Sequence, residues 1–174
     1  MTTPADMMNG FLTGIAEPKK PIERGDLATE AAKFIGLAYQ HRGQQIEGRD
    51  MGYDFLTVIG KAYENAFHRP FIWEAVPDYE PDGFFLGEGG WLDAILMECG
   101  FRMVETYPLE RGDILTFNVE KPNPFYHAAI FEGTDGRNRP CVTHAYWGRS
   151  CTSSFYDPFW SRCLASAWRY EGAA

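Results

Sequence analysis

Apolar side chains recur along this chain in two periods, and the change from one to the other falls near Pro108. Before it the spacing is helical. Leu27, Ala31, Phe34 and Ile35 fall on one face of a helix that Asp26 can cap and Gly36 can end. Phe55, Val58, Ile59, Ala62, Tyr63 and Ala66 recur three and four residues apart, so the stretch from Asp54 to Phe67 predicts the main buried helix. A loop dense in Pro77, Asp78, Pro81, Asp82 and Gly83 follows. Trp91, Leu92, Ile95 and Leu96 repeat the helical period, with Gly100 as a C′ residue, and predict a third helix.

After Pro108 the runs become short and alternating. Asp113 to Val119, Tyr126 to Glu132, Pro140 to Tyr146 and Ala165 to Tyr170 read as strands, separated by Gly112, by Pro122-Asn123-Pro124, by Gly133 to Gly136 and by Gly148. Helices first and an antiparallel sheet afterwards predict an α+β fold, with the N-terminal helices packed on an antiparallel sheet of roughly four to six strands. Residues 1–25 hold Pro4, Gly10, Gly14, Pro18, Pro21 and Gly25 with only short apolar pieces such as Phe11-Leu12 and Ile15. They read as an arm, either flexible or ordered on a partner, ahead of a domain over residues 26–174.

Composition narrows the functions. The 174 residues, 45% hydrophobic and 23% charged, suit one globular domain. A net charge of -8 without a basic stripe argues against nucleic acid. No run nears the roughly 18 apolar residues of a membrane span, and no secretory leader is visible, so membrane insertion is not expected. Cys99, Cys141, Cys151 and Cys163 show no metal-ligand spacing, which leaves no metal or other cofactor to expect and favours free thiols. Ser150 to Ser154 reads as a polar loop, which makes Cys151 the cysteine expected to be most exposed.

Several segments, in order, resemble the NlpC type of papain-like cell-wall peptidase. Ala31 to Gly43, ending in Gly36-Leu37-Ala38-Tyr39, resembles the family's opening helix and turn. Gly52-Tyr53-Asp54-Phe55-Leu56-Thr57-Val58-Ile59 is similar to its Gly-x-Asp-Cys-x-Gly-Leu-Val stretch, Arg111-Gly112-Asp113-Ile114 to its strand-opening element, and His127-Ala128-Ala129-Ile130-Phe131-Glu132-Gly133 to its His-x-x-Ile-x-x-Gly strand. Val142-Thr143-His144-Ala145 resembles the strand bearing the third catalytic group. The Val76-Pro77-Asp78-Tyr79 and Ala145-Tyr146-Trp147-Gly148-Arg149 segments are similar to the branch found in phage tails and gene-transfer agents.

Such a site needs a thiolate at a helix N-terminus, where the macrodipole lowers its pKa, beside a histidine oriented by a third polar group. The resemblance gives His127 the role of base and His144 that of orienting group; the residues alone equally allow core histidines. Tyr39 either lines the site or packs in its turn. The nucleophile position departs from the family. Alignment on the helix puts Phe55 there, and an ungapped alignment from Tyr39 puts Met51 there, and neither side chain attacks a carbonyl. The resulting expectation is a phage-tail or gene-transfer-agent component, made in the bacterial cytoplasm and carried in the virion. Its partners would be tail-tip or baseplate proteins and host peptidoglycan. The alternative is an active peptidoglycan endopeptidase that recruits Cys151 to work with His127 and His144.

Overall fold

The structure, a computed structural model, describes residues 26–41, 45–46, 49–50, 52–77, 90–105, 108–119, 125–146 and 149–172. The N-terminal arm, Met51, Asp78, Tyr79, Trp147 and Gly148 lie outside the described residues.

Helix α1 spans Leu27–Ala32, with Asp26 as its N-cap accepting from the Thr29 N–H. It stops short of the predicted Gly36. Phe34 and Ile35 turn tightly through bonds to Ala31 O and Ala32 O, and the Gly36 N–H leaves the helix for Cys151 O at 2.8 Å. Tertiary pairing thus wins over a short helix's weak propagation. Two short strands, β1 (Gln45–Ile46) and β2 (Arg49–Asp50), form a separate antiparallel ribbon.

Helix α2 spans Phe55–Phe67 as the periodicity predicts, capped by Asp54 and closed by His68 in the left-handed region at φ 53°. Phe55 to Gly60, Ala62 and Tyr63 are buried. Gly60 is required by packing, because a Cβ there would overlap the Trp73 indole. Helix α3 spans Trp91–Glu98, and Gly100 follows at φ 91°, the C′ geometry its position implied.

The main sheet has six strands: β3 (Phe101–Val104), β4 (Ile114–Val119), β5 (Phe125–Thr134), β6 (Pro140–Ala145), β7 (Cys151–Phe155) and β8 (Leu164–Tyr170). Their order is β3-β8-β4-β5-β6-β7, with every neighbouring pair antiparallel. The fold is therefore α+β, with helices preceding the sheet. Helix α4 (Pro158–Cys163) sits between β7 and β8, started by Asp157 and by Pro158 in the first turn.

The expectation of a polar loop at Ser150 to Ser154 is corrected. These residues pair with β6 from Ala145↔Cys151 to Cys141↔Phe155. An edge strand needs apolar residues on one face only, so a serine-rich run can pair fully. The two faces of the sheet carry separate apolar clusters. Ile114, Ala128, Ile130, Ala145 and Cys151 join α1 and α2 in one, while Leu115, Phe117, Ala129, Phe131 and Val142 form the other with Tyr156 and the half-buried Trp160 of α4.

Candidate functional site

Strands β5 and β6 lie side by side, and each carries one buried histidine. His127 is 3% exposed and His144 5%. On β5 the alternation groups His127 with Ala129 and Phe131, and the register sets it opposite Phe117. His144 shares its side of β6 with Val142. Both histidines therefore belong to the face covered by α4. His127 reaches α2 at that helix's first residue: its ring meets Phe55 edge-on at a centroid distance of 5.3 Å. Trp160 packs on both imidazoles, at 5.5 and 5.6 Å. His127 thus stands where the two apolar clusters join.

The two rings are directly bonded, with His127 Nε2 and His144 Nδ1 2.8 Å apart. On its other side His144 Nε2 lies 2.9 Å from Ser154 Oγ. Register explains the choice of serine: Thr152 stands directly opposite His144, but its hydroxyl donates to Ser153 O, and Ser154 reaches the ring from the diagonal position.

Burial keeps the pair uncharged. Desolvation, with His144 adding to it, holds His127 well below the ordinary histidine pKa. Desolvation and then the charge of Arg149 lower His144 to about 4. A neutral imidazole has one donor and one acceptor nitrogen, so the chain must run head to tail in one of two directions. In the first, His127 Nε2–H donates to His144 Nδ1, and His144 Nε2–H donates to Ser154 Oγ, which leaves His127 Nδ1 as the basic nitrogen. In the second, the Ser154 hydroxyl donates to His144 Nε2, and His144 Nδ1–H donates to His127 Nε2.

The start of α2 completes the picture. Asp54 is fully buried and accepts from both the N–H and the hydroxyl of Thr57 at 2.8 Å. Its second carboxylate oxygen lies 3.7 Å from His41 Nδ1. The Thr57 hydroxyl is committed to the cap, and Tyr53 packs its ring on Phe34 at 5.0 Å. Neither supplies a nucleophile at the helix start. Phe55 is 4% exposed and occupies that place.

Of the residues singled out from the sequence, the structure brings together His127, His144 and Phe55. Tyr39 sits beside the Ala38↔Ser150 bridge, its N–H donating to Arg149 O, and half-buries its ring against the cluster around α2. Met51 lies outside the described residues. Cys151 departs from expectation: it is 1% exposed, points into the α1–α2 cluster, and desolvation pushes its thiol up to about 12. Strand alternation puts it on the face opposite His144, which removes it as a recruited nucleophile. Ser154 and Trp160 were missed. The alternating polar run after Cys151 was the available signal for Ser154, and Asp157-Pro158, a cap followed by a first-turn proline, was the signal for α4.

Among the described residues no group of acidic, histidine or cysteine side chains is arranged to hold a metal ion, and no helix is long and apolar enough to cross a membrane. No protein-family model and no curated protein matches the chain. The fold is similar to the crystal structure of Ly7917, with a TM-score of 0.55 at 13% identity over 83% of this chain and 61% of that one. It is also similar to Ly7917 with the hydrolyzing product of MDP, with a TM-score of 0.51 at 16% identity over 84% of this chain and 62% of that one. The chain thus spans less than two thirds of these structures.

Proposed function

We propose that this chain is a papain-like domain of the NlpC type that has lost its nucleophile and serves as a non-enzymatic component of a phage tail tip, baseplate or gene-transfer-agent tail. One observation carries the reading. A bonded, neutral histidine pair meets the first residue of a buried helix, and that residue is Phe55. With the chain of hydrogen bonds in its first direction, His127 Nδ1 is the base and His144 the orienting group, and the helix start is where an attacking thiolate would gain from the macrodipole. Every part of that device has a counterpart here except the sulfur.

The likeness to Ly7917 supports the cell-wall part of the reading. That protein's structure was solved with the hydrolyzing product of MDP. The order of the sequence motifs supports the tail assignment, in which the domain works through contact with neighbouring tail proteins and with host peptidoglycan.

Two measurements test the proposal. Incubated with purified peptidoglycan, the native protein releases no stem peptides, and Phe55→Cys does. Release by the native protein, or none by a folded Phe55→Cys, contradicts the account of the site. An antibody to the chain detects it in purified virions or gene-transfer particles; its absence from them removes the tail role.

A further inference from the structure

The α4 side of the sheet carries a groove that neither the histidine pair nor the start of α2 uses. It measures about 550 Å³, a size that suits a small molecule rather than an extended protein interface. Its floor is Phe131 of β5 and Tyr156, both 7% exposed, whose rings meet edge to face at 6.5 Å. Tyr156 is fixed there because its N–H donates to Pro140 O at 2.8 Å, one step beyond the last β6–β7 pair. The rims are prolines from three separate segments: Pro108 ahead of β4, Pro140 at the start of β6 and Pro158 in the first turn of α4. Each has a locked φ, so the walls are set before a ligand arrives and little order is lost on binding.

Charge narrows the ligand further. Arg162, in the last turn of α4, is the only cation lining the groove, and no carboxylate pairs with it among the described residues. By contrast Lys33, Lys61, Arg102, Arg111, Arg139 and Arg169 each meet a carboxylate at 2.6 to 3.3 Å. The carboxylate that lines the groove, Asp157, is turned to the α4 cap, where its Oδ1 accepts from the N–H groups of Phe159 and Trp160 at 2.8 and 3.1 Å. A single guanidinium with an acidic neighbour fits one negative charge on an apolar body, and a phosphate dianion would call for more cations.

We propose that this groove binds a small aromatic monocarboxylate, its ring against Phe131 and Tyr156 between the prolines and its carboxylate on the Arg162 guanidinium. The apolar contact supplies most of the affinity, since an exposed ion pair adds little by itself, and Arg162 selects the anion and its orientation. The site goes beyond the proposed tail role and does not depend on whether residue 55 can be made reactive, because Phe55 starts α2 in the other apolar cluster of the sheet.

Titration of the full native chain with phenylpropionate, followed by nitrogen-edited proton NMR, tests this. Saturable shifts are expected at the amides of Phe131, Tyr156 and Arg162. Phenylpropionamide, without the charge, binds about 3- to 10-fold more weakly, and Arg162→Gln loses a similar factor for the acid alone. Propionate, which keeps the charge and lacks the ring, gives no saturable shift. Arg162→Glu, at an exposed position, reverses the preference and binds phenethylammonium over the acid. No saturable shift at these amides up to about 10 mM phenylpropionate overturns the site. Equal binding of acid and amide, or equal binding of the acid by native and Arg162→Gln protein, overturns the role of Arg162. Tighter binding of phenethylphosphonate than of phenylpropionate overturns the monocarboxylate class.

Discussion

The start of helix α2 and the strand pair β5–β6 face one another, and they differ in kind. The strands hold a polar device, two buried histidines bonded to each other and to Ser154. The helix start opposes it with an aromatic ring, although the cap beneath that ring is intact, with Asp54 holding Thr57 through two bonds. Buried polar groups are costly unless satisfied, so a histidine pair needs its partners whether or not it reacts. A nucleophile has no such structural hold. Once catalysis is not required, an apolar side chain in its place adds packing and leaves no polar group stranded, whereas changing one histidine strands the other. On the proposed function, the polar half of such a site persists for folding reasons after the reactive atom is gone.

The largest expected effect is on the apolar side. Phe55→Ala removes a ring that is 4% exposed and touches His127, and unfolding free energy should fall by about 3–5 kcal/mol, read by urea titration. A loss under about 1 kcal/mol would mean that Phe55 fills no core position.

The polar side should show itself through pH. Both histidines have folded-state pKa values below the unfolded value of 6.5, so the unfolded chain binds more protons between the two. Their contribution is complete above pH 6.5 and is lost as pH falls through that window toward about 4, where His144 protonates in the folded state. For His144 this is on the order of 3 kcal/mol. Chemical denaturation across the window should give a shallower slope for His144→Gln than for the native protein. Parallel slopes would show that the histidine is not buried neutral.

The two helix caps sharpen the comparison further. Asp54→Ala strips a fully buried cap with two bonds and should cost about 2 kcal/mol, at the upper end for N-caps. Asp26→Ala acts at a half-exposed cap that Arg111 also contacts, and should cost about 0.5–1 kcal/mol by thermal melts. Equal losses would remove the distinction between the site helix and an ordinary one.

Periodicity carried much of the fold. Val58, Ile59, Ala62 and Tyr63 fixed α2, and alternation from Ile114 onward located four of the six main-sheet strands. What failed were elements whose identity depends on a neighbour. β7 is polar on its outer face and becomes a strand only because β6 offers it an edge. β3 is four residues long, too short for a period to register, and α4, at six residues, is under two turns. The site followed the same division. His127 and His144 were singled out through the resemblance of their strand motifs, since an apolar strand alone equally allows core histidines, and Phe55 because the helix aligns it. Ser154 and the burial of Cys151 were not, since strand register, which composition does not encode, decides which serine meets His144 and which way the cysteine points.

The proposed function requires that a thiol placed at residue 55 be activated by its surroundings. The pH dependence of iodoacetamide alkylation in Phe55→Cys, followed on the peptide containing that position, measures this without any substrate. Activation by the start of α2 and by His127 predicts a thiol that ionises well below the ordinary value of about 8.5 and reacts at neutral pH, while the buried Cys151 stays unmodified in the folded protein. A thiol that ionises at or above about 8.5 in a folded Phe55→Cys variant would contradict the account, and would mean that the histidine pair is an ordinary part of the core.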